Sequence, residues 1–115
     1  MTIPSGGGSE ILNSNYVQGI SAETLILQGY ANHIYTIVSI IICNTDGSSR
    51  EVYLKRYDGT GTSNEHLILM GETIPSESTF IMNDRFVIVG SYNLRLTSAS
   101  GNADCVISYI EQDWT

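Results

Sequence analysis

The stretch that decides the fold is residues 33–57, HIYTIVSIIICNTDGSSREVYLKRY, in which two strand patterns flank a turn. Its first half is rich in β-branched residues and tyrosine, which are typical of β-strands. Its second half alternates, with Val52 and Leu54 on one face and tyrosines and a lysine on the other. A period of two indicates a strand with one buried face. The Asp-Gly pair between the halves is a strong signal for a hairpin, so we expect the two strands to pair.

Six further stretches have the character of short strands separated by turn residues. They are ETLILQ, EHLILM, STFIMN, RFVIVG, YNLRLTS and DCVISYIEQ. SASGNAD is predicted to join the last two as a hairpin. No stretch longer than about six residues has the periodicity of a helix. The sequence therefore predicts an all-β protein, an antiparallel β-sandwich or jelly roll of about eight strands.

The composition favours a protein whose surface is covered by neighbours. The chain has 115 residues, the length of one domain, and only 15 % of them are charged. Its polarity comes instead from neutral side chains, which are buried between subunits at a lower desolvation cost than charges.

The net charge of −7 argues against two classes of partner. Nucleic acids and membrane surfaces are both anionic and are bound through clustered basic residues. The five basic residues form no run longer than Lys55-Arg56. The sequence also has no apolar run of the ~18 residues that a membrane-spanning helix needs. We therefore expect neither nucleic acid nor a membrane as a partner.

The two cysteines, Cys43 and Cys105, lie among apolar residues of predicted strands. Small secreted domains usually carry more cysteines, arranged as a disulfide framework. We therefore expect two buried free thiols and maturation in a reducing cytoplasm, with a single disulfide as the alternative.

Residues suited to catalysis or metal binding form no recognisable constellation. His66 lies beside Glu65, but neighbours on a strand point to opposite faces, and His33 lies at a strand entry. SGGGSE lacks the Lys-Ser/Thr of a phosphate-binding loop. NTDGSS lacks the carboxylates of a calcium loop. The sequence therefore predicts no catalytic residue, no metal site and no cofactor.

Residues 1–20 have a less regular pattern than the rest of the chain. They are interpreted as an extended arm without a regular element, before a β-sandwich domain of residues 21–115. Fixing the glycine run of IPSGGGSEIL costs much backbone freedom, so we expect the arm to order only against a neighbouring subunit. Small residues also let a backbone approach another chain closely, as in strand addition. The arm residues predicted to form this interface are Ile3, Pro4, Gly6, Gly7, Gly8, Ile11, Leu12, Tyr16 and Val17.

A second set of predicted interface residues is aromatic. Tyrosine and tryptophan combine an apolar ring with a polar tip and are enriched at protein interfaces. Tyr53 and Tyr57 fall on the polar face of their strand, and Trp114 follows the last predicted strand. We expect Tyr53 and Tyr57 to contact a neighbour, and Trp114 either to do the same or to pack against its own sandwich.

Long segments of the chain resemble a group of small virion proteins of tailed bacteriophages. In HIYTIVSIIICNTDGSSREVYL, an apolar strand ends in an Asn-Thr turn before a Val-X-Leu strand. The resemblance continues through LILMGETIPSESTFIMNDRFVIVGSYNLRLTSASGNADCVISYIEQ, and the opening IPSGGGSEIL is similar to the start of several such proteins from marine phages. These motifs are turns and core positions, so they specify the fold more than the function. The family has no catalytic motif to carry over.

The resemblance implies a non-enzymatic virion protein, above all a capsid decoration or cement protein that stabilises the head through subunit contacts. The expected partners are other copies of the chain, in a homo-oligomer such as a trimer, and a major capsid or tail protein. The expected location is the virion, assembled in the host cytoplasm. The alternative is a tail, baseplate or fibre component that binds carbohydrate or the host, which requires exposed aromatics in one concave patch with Asn and Asp nearby. A small enzyme is the least favoured class.

Overall fold

The computed structural model describes residues 10–20, 22–98 and 103–113, which form nine β-strands. The strands are β1 (Glu10–Ile20), β2 (Thr24–Gln28), β3 (His33–Asn44), β4 (Arg50–Asp58), β5 (Ser63–Ile74), β6 (Thr79–Met82), β7 (Phe86–Val89), β8 (Tyr92–Ser98) and β9 (Ala103–Asp113). The last eight correspond to the strands predicted from the sequence, so the all-β prediction is confirmed. Within the described ranges, no helix is long and apolar enough to cross a membrane.

The strands form two antiparallel sheets. The five-stranded sheet has the order β1-β9-β3-β6, and β7 pairs with β3 along the same edge as β6. The four-stranded sheet has the order β2-β8-β4-β5. The two sheets bury one face each against the other, which makes the fold an antiparallel β-sandwich as predicted.

The core lies between the sheets and is built from alternate residues of each strand. In β9, Cys105, Ile107 and Tyr109 are buried, while the residues between them are half-exposed. Val52 and Leu54 of β4 are 1 % and 0 % exposed, as their alternation predicts. Burying an aliphatic side chain of this size contributes about 1.5–3 kcal/mol, so these layers hold the two sheets together.

Two connections that were predicted as hairpins instead cross from one sheet to the other. β3 belongs to the five-stranded sheet and β4 to the four-stranded sheet, so the strands on either side of NTDGSS do not pair. β8 and β9 are divided in the same way, so SASGNAD does not join a hairpin. Turn residues determine where a chain reverses. The burial of the apolar faces decides which sheet each strand joins.

Asn44 shows how the connection between β3 and β4 is held. Its side-chain nitrogen donates to the carbonyl of Ser48 at 2.9 Å and to that of Ile74 at 3.0 Å. Its side-chain oxygen accepts from the backbone N–H of Asp46 at 3.0 Å. Arg50 forms an ion pair with Asp46 at 2.8 Å. The turn is therefore fastened to the end of β5, in the sheet that the chain is about to join.

The prediction that residues 1–20 contain no regular element is wrong for residues 10–20. These residues form β1, which pairs with β9 of the same chain from Glu10 to Val17. An antiparallel ladder satisfies backbone donors and acceptors whatever the side chains are, so a weak side-chain pattern did not prevent a strand. Residues 1–9 lie outside the described residues, and the domain boundary at residue 20 stays a prediction.

Asp104 of β9 fastens the end of β1. Its carboxylate accepts a hydrogen bond from the N–H of Gly19 at 3.0 Å and another from Tyr16 Oη at 3.3 Å. Gly19 has a φ of 69°, which glycine adopts without steric cost. The register shifts at this point, and Ile20 is completely buried in the core. The kink at Gly19 therefore ends the exposed part of β1.

Both cysteines are free thiols, as predicted, but burial is complete only at Cys105. Cys43 is half-buried and pairs across the ladder with Asp104, while Cys105 pairs with Ile42. The two cysteines therefore point to opposite faces of the five-stranded sheet, which prevents a disulfide between them. Burial raises the pKa of the Cys105 thiol to about 12.

Candidate assembly interface

The outer face of the five-stranded sheet is apolar, although it points away from the core. Residues that pair across an antiparallel ladder lie on the same face of the sheet. Leu12 pairs with Ile110 and Tyr16 with Val106, so β1 and β9 present these side chains together. We define the apolar face as Leu12, Tyr16, Ile34, Ile41, Ile81, Val87, Val89, Val106 and Ile110.

Five side chains of the apolar face are more than half exposed. Leu12 is 73 % and Tyr16 60 % exposed on β1. At the other edge of the sheet, Ile81, Val87 and Val89 are 54 %, 54 % and 55 % exposed. Scattered exposed apolar residues are normal, but a contiguous patch marks an interaction site. Here the exposed residues belong to one sheet face, so they point to an interface.

Charged side chains are confined to the ends of this face. Among the described outward positions of its strands, the charged residues are Glu10, which pairs with Gln112, and Asp104, which pairs with Cys43. The middle of the face carries serine, threonine and aliphatic side chains. Neutral groups can be buried against a partner without the large cost of desolvating a charge.

The apolar face is large enough for a stable contact. Four rows of strands at ~4.8 Å spacing, with ~3.4 Å per residue along β9, cover roughly 20 Å by 35 Å, or about 700 Å². A standard protein interface buries about 800 Å² on each partner. The face is therefore close in size to one side of a specific interface.

The outer face of the four-stranded sheet carries a cluster of paired charged and polar groups, beside the exposed side chains of Leu25 and Leu67. Lys55 Nζ lies 3.3 Å from the carboxylate of Glu65 and 3.9 Å from that of Glu23. Tyr57 Oη donates to Glu23 at 2.5 Å and to Glu65 at 3.1 Å. Burial and these hydrogen bonds raise the pKa of Tyr57 above its usual range. Hydrogen bonds from Lys55 and Tyr57 lower the pKa of Glu65. The cluster thus satisfies its own polar groups.

The predicted aromatic interface residues do not form one exposed surface. Tyr57 is only 3 % exposed, so it supports the polar face and offers little area to a partner. Tyr53 is half-buried, and Trp114 lies outside the described residues. A contact between these aromatic residues and a neighbouring subunit stays a prediction.

The structure divides the predicted arm residues between the two sides of β1. Leu12 and Tyr16 belong to the apolar face. Ile11 and Val17 lie on the opposite side, where Val17 packs against the core and Ile11 remains 51 % exposed. The other predicted arm residues, Ile3, Pro4, Gly6, Gly7 and Gly8, lie outside the described residues.

Most residues of the apolar face were not predicted from the sequence, although the sequence contains a signal for them. FVIV of β7 and IIIC of β3 are apolar at consecutive positions. A strand with one buried face alternates, whereas a continuous apolar run is typical of a strand covered on both sides. The inner side of these runs faces the core. The outer side has no cover among the described residues.

A cleft of about 560 Å³ opens between β1 and β2, the edge strands on one side of the sandwich. It is lined by residues 14–17 of β1 and 25–28 of β2, with Tyr35 and Tyr109 among its other lining residues. These two tyrosines are 2 % and 5 % exposed, so they present little ring surface in the cleft. Tyr16 and Tyr30 also line the cleft and are 60 % and 62 % exposed, so it holds two of the exposed aromatic residues that the carbohydrate alternative requires.

His33 ties the start of β3 to the end of β9. Its Nδ1 lies 2.6 Å from the carboxylate of Glu111, and its ring stacks on Tyr35 with 6.1 Å between the centroids. In the part of the chain that the structure describes, no three His, Cys, Asp or Glu side chains are grouped so as to hold a metal ion.

Neither a family model nor a curated protein matches the chain. Similar solved structures include a chain of Bacillus endospore appendages, disulfide-linked pili, at 12 % identity with a TM-score of 0.57, covering 94 % of this chain and 91 % of that one. A chain from the capsid of Helicobacter pylori bacteriophage KHP30 is 8 % identical with a TM-score of 0.55, covering 92 % and 89 %.

A chain from T=1 particles of infectious bursal virus is 7 % identical with a TM-score of 0.56, and the match covers 92 % of this chain but 31 % of that one. The chain therefore spans about a third of that viral protein. At these identities the likeness concerns the fold alone. The class that the fold and the surface define is an antiparallel β-sandwich with one apolar outer face.

Proposed function

We propose that the chain is a non-enzymatic structural subunit of a virion and assembles by burying the apolar face. The observation that carries this proposal is the exposure of five large apolar side chains on one sheet face that is uncharged in its middle. In water such a face promotes association. A structural partner that covers it explains why the sequence retains it. The fold likeness to chains from viral particles supports this kind of assembly.

Within the virion, we propose a capsid decoration or cement role, in which contacts between subunits stabilise the head. The resemblance to small virion proteins of tailed phages and the low content of charged residues support this role. The partners would be other copies of the chain, in an oligomer such as a trimer, and the major capsid protein. Immunogold labelling of purified particles tests the location, because label on the tail would contradict a capsid role.

Among possible partners, a second copy of the chain fits the apolar face best. Two chains with a net charge of −7 repel each other overall, so contact is favoured where neither presents a charge. The middle of the apolar face meets this condition on both copies. Its estimated area of about 700 Å² approaches the roughly 800 Å² that each partner buries in a standard interface.

Sedimentation velocity on paired lysine variants tests this proposal. Leu12→Lys with Val87→Lys places two charges on the apolar face. Met70→Lys with Leu67→Lys is the matched control, because these residues of β5 are also exposed, at 77 % and 45 %. We expect the first pair to weaken self-association at least tenfold and the control pair to leave it near wild type. Equal association constants for the two pairs would contradict the proposal.

A further inference from the structure

We propose that the cleft between β1 and β2 receives an added strand, and that its occupant is the leader, defined as residues 1–9, of a second copy of the chain. This inference rests on the proposed function, because it names a way in which copies are joined. The cleft shares Tyr16 with the apolar face, and its other lining residues lie outside that face.

The cleft runs along the free edges of two strands. Its lining includes four consecutive residues of β1, 14–17, and four consecutive residues of β2, 25–28. Neighbouring side chains on a strand point to opposite faces, so consecutive lining residues mean that the cleft follows the strand edges. β1 is paired with β9 on one side and β2 with β8 on one side. Their remaining edges face the cleft, and an edge of this kind can accept another strand.

β1 is the better template of the two edges. Its register with β9 is regular from Glu10 to Val17, whereas that of β2 with β8 shifts between Leu25 and Leu27. On β2, the carbonyl of Ile26 already accepts a hydrogen bond from the side chain of Asn15 at 3.3 Å. β1 also contains no lysine and no proline, the residues that commonly block addition of a strand to an edge.

The leader has the chemistry that this cleft accepts. Its sequence, MTIPSGGGS, carries no charged side chain. The cleft also includes Glu111, but that carboxylate already contacts His33 at 2.6 Å, so the leader need not supply a charge. Glycine and serine let the backbone come close to both strand edges, and main-chain hydrogen bonds give strand addition its affinity.

Within one chain, the leader continues directly into β1 at Glu10, so it can lie along β1 only if the chain reverses in the few residues before that strand. The leader of a second copy needs no such reversal. Its nine residues span about 30 Å, which is enough for the roughly 13 Å of the four lining residues of β1.

Disulfide trapping between two populations of the protein tests this inference. One population carries Ser5→Cys and is labelled with ¹⁵N, and the other is unlabelled and carries Ser14→Cys. Both also carry Cys43→Ser, which removes the half-buried native thiol. The matched control replaces Ser14→Cys with Ser63→Cys, because Ser63 is an exposed serine on β5, the edge strand at the far side of the four-stranded sheet. Mass spectrometry after mild oxidation identifies cross-links between labelled and unlabelled chains.

We expect the cross-link between residues 5 and 14 to exceed that between residues 5 and 63 at least tenfold. Ile3→Cys serves as a second leader position, because the register of the added strand can place either residue beside Ser14. Similar yields at Ser14 and Ser63 from both leader positions would overturn the inference.

The outcome is distinguishable from failure of the proposed function. A cross-link at Ser14, in a protein whose association constant is unchanged by lysines on the apolar face, would support strand addition in the cleft and contradict burial of the apolar face. Association that is weakened by the lysines, without that cross-link, would support burial of the apolar face and contradict strand addition in the cleft.

Discussion

The outer faces of the two sheets differ in chemistry, although both point away from the same core. The four-stranded sheet presents Lys55, Glu65 and Tyr57, which pair with one another at hydrogen-bond distances. The five-stranded sheet presents aliphatic side chains in its middle, with Glu10 and Asp104 at its ends. Folding of one chain explains the first face, because water and internal ion pairs satisfy it. The second face has no such internal partners among the described residues, and we propose that a neighbouring subunit covers it.

The largest expected effect separates the two sides of a single strand. Ile107 of β9 is completely buried, whereas its neighbour Val106 belongs to the apolar face. We expect Ile107→Ala to lower the free energy of unfolding by about 2–5 kcal/mol, because it leaves a cavity in the core. Val106→Ala should cost about 1 kcal/mol or less and instead weaken self-association. Urea unfolding and sedimentation velocity measure both quantities. Equal losses of stability would contradict the assignment of inner and outer sides.

A smaller effect is expected on the polar face. Tyr57→Phe removes hydrogen bonds to two carboxylates and should lower the free energy of unfolding by about 1–3 kcal/mol. Tyr53→Phe, on the same strand and face, is the control and should change it by less. Neither variant should alter self-association. A loss of association in Tyr57→Phe without a loss of stability would support the contact predicted from the sequence.

The contribution of Tyr57 should also depend on pH in a defined direction. The pKa of Tyr57 is raised in the folded state, so its stabilisation is present below the unfolded value of about 10 and is lost as the pH rises above it. The difference in unfolding free energy between wild type and Tyr57→Phe should therefore shrink between pH 8 and pH 11. A difference that grows over this range would contradict the raised pKa.

The smallest expected effect concerns salt. Self-association through the apolar face should not weaken between ~0.05 M and ~0.5 M sodium chloride, because salt screens the repulsion between two chains of net charge −7 and no attractive charge pair across the contact is lost. Sodium sulfate should strengthen it, since sulfate favours burial of apolar surface. Light scattering across the two salt series measures both trends. A steep loss of association in sodium chloride would show that paired charges, as on the polar face, hold the copies together.

The positions of the strands could be predicted from the sequence, but some of their partners could not. Alternation around Val52 and Leu54 depends on local side chains and correctly indicated a half-buried strand. The turn NTDGSS indicated a reversal, yet Asn44 fastens that turn to β5 and carries the chain into the other sheet. The choice of sheet depends on contacts distant in sequence, which local turn residues do not encode.

The candidate interface was predicted only at its edge. Leu12 and Tyr16 were expected to contact a neighbour, and they lie on the apolar face. Val87, Val89 and Ile81 were not singled out, because apolar residues in strands are usually assigned to the core. Their consecutive apolar runs, on strands that face the core with one side, were the available signal.

Covalent footprinting of assembled protein is the most direct test of the central claim, that the apolar face is the surface buried on assembly. A carbene-generating reagent would label wild-type protein in its dilute, monomeric form and in its assembled form. We expect assembly to protect Leu12, Ile81 and Val87 strongly, while Leu67 and Met70 of β5 remain labelled to the same extent. Strong protection of Leu67 and Met70, with unchanged labelling of Leu12, Ile81 and Val87, would contradict the account.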